Sequence, residues 1–119
     1  MKNLDLECAK LGRELAESVR DEKVFTTALG VLEEEQGPYA CFLYLEAGEG
    51  KAGQAITTRG TKFLKENVDD NTKATNPLEF VQGLASDLDR LLFTRDLLRQ
   101  AFVYARYHAK ARGSAGEKA

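Results

Sequence analysis

Apolar residues near the start of the chain recur at helical intervals. Leu4, Cys8, Leu11, Leu15 and Val19 step by four, three, four and four, which is one face of an amphipathic helix, and Asn3 stands in place to cap it. The other face carries Glu7, Lys10, Arg13, Glu14, Glu17 and Arg20, a solvated surface on which Glu7 with Lys10 and Glu17 with Arg20 can pair at a spacing of three. A second helix over Glu22 to Glu35 turns Phe25, Ala28, Leu29 and Leu32 inward. It ends in Glu33, Glu34 and Glu35, at the end of the helix dipole where acids are unfavourable.

Gly37 and Pro38 break this pattern, glycine suiting a helix C-terminus and proline the first turn of the next helix. The following YACFLYLEA is apolar almost all round, so it is expected to be the most buried helix. Its Tyr, Cys and Phe would also suit a strand, but Gly48 and Gly50 supply a helix stop and no other segment could pair with a lone strand. From Ala52 to Glu66 a weaker pattern puts Ile56, Phe63 and Leu64 inside and Arg59, Lys62 and Lys65 outside at spacings of three. NVDDNTKATN lacks periodicity and reads as a loop, closed by Asn76, Pro77 and Glu79 as cap, first-turn proline and capping-box acid of a short helix to Ala85. Gly83, and Ser86 with Asp89 three residues on, mark either a kink or a fresh start. The closing helix then runs to Arg112 with Leu88, Leu91, Leu92, Leu98, Phe102 and Ala105 as its apolar stripe.

At 119 residues with no internal repeat, these elements describe one domain: an all-α compact bundle of about five helices over residues 1–112, with a long C-terminal helix and a small, polar, disordered tail over 113–119. Net charge is only −2, yet it is unevenly placed. Residues 1–50 hold five Lys/Arg against eleven Asp/Glu, whereas residues 90–112 hold six against one. Cys8 and Cys41 sit among apolar neighbours like small buried hydrophobes, which suits a reducing cytoplasm. The acidic residues of MKNLDLECAK oppose a signal peptide, and no segment reaches the ~20 apolar residues of a membrane span.

Nothing in the chain assembles a catalytic, cofactor or metal site. His108 is the sole histidine, and a bundle di-iron site would need a Glu where Ala105 stands. Gly48, Gly50 and Gly53 imitate a dinucleotide fingerprint but follow a helix rather than a strand. Ser86, Asp87 and Asp89 are explained by helix capping, and Glu33 to Glu35 point in different directions. The remaining chemistry is cationic. Arg95, Arg99, Arg106 and Lys110 lie near one line of the closing helix, and like charges in line cost stability unless an anion answers them. That anion is either external or an acid of the same chain such as Glu14 or Glu17. Tyr104 and Tyr107 either stack on bases or pack against protein.

Three stretches resemble the small helical subunit of type III CRISPR effector complexes, and among them its Cmr-type members: QGPYACFLYLEAG, a helix running into FLKENVDDN, and DLDRLLFTRDLLRQAFVYARYHAKA. The family commonly has Asn before the turn glycine and Leu after it, where this chain has Gln36 and Pro38. The resemblance implies a noncatalytic subunit that stacks head to tail in a few copies within a crRNA ribonucleoprotein, beside other subunits that perform the chemistry. It further implies that Arg59, Lys62, Lys65, Arg95, Arg99, Arg106 and Lys110 contact target RNA. The alternative is a helical adaptor or chaperone that binds protein and no nucleic acid.

Overall fold

In the computed structural model, the described residues are 3–34, 37–69, 72–74, 76–84 and 86–118, with side chains through Arg112. They form six helices and, among the described residues, no strand: α1 (Leu4–Ser18), α2 (Glu22–Glu34), α3 (Pro38–Gly48), α4 (Gly50–Asn67), α5 (Pro77–Leu84) and α6 (Leu88–Lys118). The sixth arises because α5 and α6 are separate helices. The fresh start is capped by Asp87, whose carboxylate accepts from the Arg90 N–H at 3.2 Å, while the expected cap Ser86 instead donates to the Gly83 carbonyl. The caps expected at Asn3 and Asn76 are present, accepting from the Leu6 and Glu79 N–H groups at 3.1 and 2.9 Å. The expectations for Glu35, Gln36, Asp70, Asn71, Thr75 and Ala85 lie outside the described residues, as do those for the side chains of the tail; α6 itself extends to Lys118.

α6 sets the frame. Its 31 residues span about 46 Å, nearly the whole 48 Å length of the molecule. α1 runs parallel to it: the Cys8 thiol donates to the Leu97 carbonyl, Gly12 lies against Ala101 and Ala105, and Arg112 reaches the Ala16 carbonyl. Buried small residues at four-residue steps accompany this seam, Cys8, Gly12 and Ala16 on α1 and Ala101, Ala105 and Ala109 on α6. A Cβ at Gly12 would lie 2.5 Å from the Tyr104 Cβ and 2.8 Å from the Ala101 oxygen, so the two backbones approach as closely as glycine allows. α2 runs antiparallel along α6, with Glu33 beside Arg99 and the first turn of α2 beside Arg106 and Lys110. α4 lies beside α1, with Arg59 near Glu14, and forms a hairpin with α3, turned at Gly50 in the left-handed region (φ 58), where Gly53 meets the Leu45 carbonyl and Gly60 the Phe42 ring.

The core holds Leu15, Phe25, Leu32, Phe42, Leu45, Ile56, Leu64, Phe80, Leu98 and Phe102, all fully buried. The inward faces expected of α1, α2 and α4 are therefore observed, with Leu4 only partly covered. Two expectations are corrected. α3 is helical, but Tyr39 and Leu43 are 43% and 45% exposed, so it is half-covered rather than the most buried helix. On α6 the buried stripe begins at Thr94 and Leu97, while Leu88 is 67% exposed and Leu92 and Phe93 stand open; α1 begins only at Leu4, and its Cys8 is already level with Leu97.

Candidate functional site

The cationic residues expected to bind RNA do not share one track. Arg59 lies 3.8 Å from Glu14 of α1, Arg95 lies 3.8 Å from its neighbour Asp96, and Arg99 lies 3.9 Å from Glu33 of α2. Outside the expected set, Arg90 holds Asp69 and Asp87 at 3.3 and 3.6 Å, and Arg112 holds Glu17 at 3.6 Å. Acids of the same chain thus answer much of the cationic line. These are long pairs between half-exposed groups, each worth less than about 1 kcal/mol, so they occupy the guanidinium groups weakly.

Lys62 and Lys65 border an open groove of about 500 Å³ between α4 and the start of α5, with Thr58, Thr61, Glu66 and Asn76. Lys65 is partly committed there, donating to the Ala74 carbonyl at 3.2 Å. Arg106 and Lys110 border another groove, about 590 Å³, between α6 and the first turns of α2. Its remaining lining is Glu22, Lys23, Thr26, Thr27 and Tyr107, so three cations face one carboxylate. None of Lys23, Arg106 and Lys110 makes an ion pair among the described residues.

The neighbouring helix decides which part of the α6 line stays open. Lying antiparallel, α2 places Glu33 of its last turn against Arg99 and Lys23 of its first turn against Arg106 and Lys110. The first end is thereby loosely paired, while at the second Lys23 adds a third cation to a groove whose one carboxylate is Glu22. Cations beside a helix N-terminus also oppose its dipole, so an anion in this groove would relieve both sources of repulsion.

The two tyrosines divide in the same way. The Tyr104 hydroxyl donates to Asp5 at 2.9 Å, a bond that pushes the phenol pKa up, and Gln100 donates to the same carboxylate at 3.0 Å. Tyr104 therefore ties α6 to α1. Tyr107 is 59% exposed, with the Arg106 guanidinium carbon 5.6 Å from its ring centroid. The adjacent His108 is half-buried.

Lys23, Thr26 and Thr27 were not among the sequence candidates. They lie on the exposed side of α2, and periodicity carries no information about which distant helix that side adjoins. Both thiols are buried, Cys8 donating to Leu97 and Cys41 to the Ala28 carbonyl. Burial is the main cause that pushes their pKa values up, to about 11 for Cys8 and about 12 for Cys41. Among the described residues no group of three His, Cys, Asp or Glu could hold a metal, and no helix is long and apolar enough to cross a membrane. Comparison with known proteins returned no match: no family model, curated protein or solved structure is significantly similar to this chain.

Proposed function

We propose that this protein is a noncatalytic small subunit of a type III CRISPR RNA-guided complex, working in a prokaryotic cytoplasm and contacting target RNA through basic helix faces. The observation that carries the reading is the α2–α6 groove, where Lys23, Arg106 and Lys110 share one carboxylate, Glu22, make no ion pair among the described residues and stand beside an exposed tyrosine. Cations next to an aromatic ring are what a sequence-tolerant contact to single-stranded nucleic acid requires. Lys62 and Lys65 would add a second, weaker contact, with Arg59, Arg95 and Arg99 exchanging their loose intramolecular pairs for phosphate.

The resemblance of the α2–turn–α3 segment and of α6 to the small-subunit family supplies the assembly. Within it, the open apolar end of α6, formed by Leu88, Leu92 and Phe93, would pack against a neighbouring protein, another copy or a different subunit. The test is binding of single-stranded RNA to the purified protein across a salt series. Three released counterions give a slope of log K against log salt of about −2, and the double reversal Arg106→Glu/Lys110→Glu removes most of the binding. Unchanged RNA association of that variant, alone and within a purified assembly, would overturn the groove assignment.

That same apolar end also supports the adaptor reading, in which the charged faces serve protein partners alone. Partners retained in a pull-down after complete nuclease treatment, from a protein with no affinity for RNA, would favour it.

A further inference from the structure

We infer that the α2–α6 groove takes an unpaired nucleotide, its base stacked on the open face of Tyr107 and its flanking phosphates held by Lys23 and Lys110. This rests on the RNA-contacting function proposed above and adds the strandedness of the ligand and a role for each side chain. Tyr107 is 59% exposed on a helix whose neighbouring tyrosine, Tyr104, is tied to Asp5, so the ring is not needed to join α6 to the bundle. Arg106 lies 5.6 Å from the ring centroid, within reach of a cation–π contact that steadies the ring from one side and leaves the other to a ligand. Lys110 follows Arg106 by one helical turn, and Lys23 approaches from α2 beside Glu22, so a cation stands on each wall and the groove carries three cations to one carboxylate.

A base in a duplex keeps its faces stacked on its neighbours and has none to offer a tyrosine, whereas an unpaired base does. Stacking of this kind tolerates any base, because each has a π face. The carboxylates of an acidic peptide would satisfy the three cations but offer the tyrosine ring no π face.

The experiment uses the full chain and a short single-stranded RNA carrying 2-aminopurine, with the same sequence as a blunt duplex. Wild type is expected to quench the probe in the single strand and to bind the duplex more weakly. Tyr107→Ala should bind the single strand about 5- to 100-fold more weakly and lose the quench, while Tyr107→Phe stays within about twofold. Lys23→Ala/Lys110→Ala should lower affinity and flatten the salt dependence by about two released counterions. Circular dichroism verifies that each variant is folded, which exposure of these side chains favours. If Tyr107→Ala binds and quenches like wild type while the lysine variant weakens, phosphate contact alone operates: stacking is refuted and the RNA reading stands. Polyglutamate competing as well as RNA would refute the nucleotide in favour of an acidic peptide. No binding of wild type to any RNA would overturn both readings.

Discussion

Gly12 offers a sharp test of the α1–α6 seam, because the same Gly→Ala change has opposite expected signs at two helical positions. At Gly12 the added Cβ would meet the Tyr104 Cβ at 2.5 Å, the Ala101 oxygen at 2.8 Å and the Ala105 nitrogen at 2.9 Å. Two of these are backbone atoms of a packed helix and cannot swing away, so the cost falls at the upper end of overpacking, about 3 kcal/mol. Alanine's helix propensity returns about 1 kcal/mol, leaving a net loss of about 2 kcal/mol and a melting temperature lowered by about 6–10 °C. Gly30, inside α2, has no atom within 4 Å of the same Cβ position, so Gly30→Ala keeps only the propensity gain. Its melting temperature should rise by about 3–5 °C. Thermal unfolding of the two variants and wild type, followed by far-UV circular dichroism, reads both signs at once. If Gly12→Ala melts as high as Gly30→Ala, α1 and α6 do not cross at that distance, and the parallel arrangement that places α2 along the basic line loses its basis.

Further outcomes follow from the same geometry. Phe102→Ala should cost about 3–5 kcal/mol in urea unfolding, whereas Leu88→Ser, at 67% exposure, should stay within about 0.5 kcal/mol. A double-mutant cycle on Arg99 and Glu33 should give a coupling below about 1 kcal/mol; a larger value would mean that the pair is held too firmly for Arg99 to exchange it for phosphate. Arg112→Ala should destabilise by about 1 kcal/mol, since its guanidinium bonds the Ala16 carbonyl at 3.1 Å, while Arg106→Ala leaves the urea midpoint unchanged. The cysteines raised to about 11 and about 12 keep their protons in the folded state after unfolded thiols, near about 8.5, have lost theirs. Stability should therefore be complete below that lower pH and fall as pH rises toward 11, with a shallower fall in Cys8→Ala/Cys41→Ala than in wild type.

Much of this fold is legible from periodicity, and the failures share a cause. The inward faces of α1, α2 and α4 follow from spacing alone, since each helix has a partner along its length. Leu88 and Leu92 fit the period of α6 equally well yet stand open, because periodicity defines a face and not whether anything covers it. The excess apolar content of α3 misleads in the same way: Tyr39 and Leu43 repeat at four on the side away from Cys41, Phe42 and Leu45. The Cys8, Gly12, Ala16 and Ala101, Ala105, Ala109 series were in plain view, but small residues mark a close crossing only once the helices are known to meet. For the site, spacing found Arg106 and Lys110, and only the packing of α2 could join Lys23 to them and set Glu33 against Arg99.

The arginines of α6 separate by what they do for the other helices. α1 has no basic residue in its last turn, and Arg112 supplies one from outside, bonding the Ala16 carbonyl and pairing with Glu17. α2 likewise ends without a basic residue, and Arg99 meets Glu33 there. Arg90 reaches Asp69 just past the end of α4 and Asp87 at the start of α6 itself. Each of these places a positive charge where a helix C-terminus or a nearby carboxylate favours it, so folding explains their presence. Arg106 and Lys110 join Lys23 at the first turn of α2, where the dipole is already positive and Glu22 is the one carboxylate among three cations. A few tenths of a kcal/mol per like-charged neighbour is a small penalty, but it has the wrong sign for a stabilising role. Folding thus accounts for Arg90, Arg99 and Arg112 but not for the grouping of Arg106 and Lys110 with Lys23 beside the exposed Tyr107, and a polyanion that neutralises them there would turn a mildly unfavourable arrangement into a favourable one.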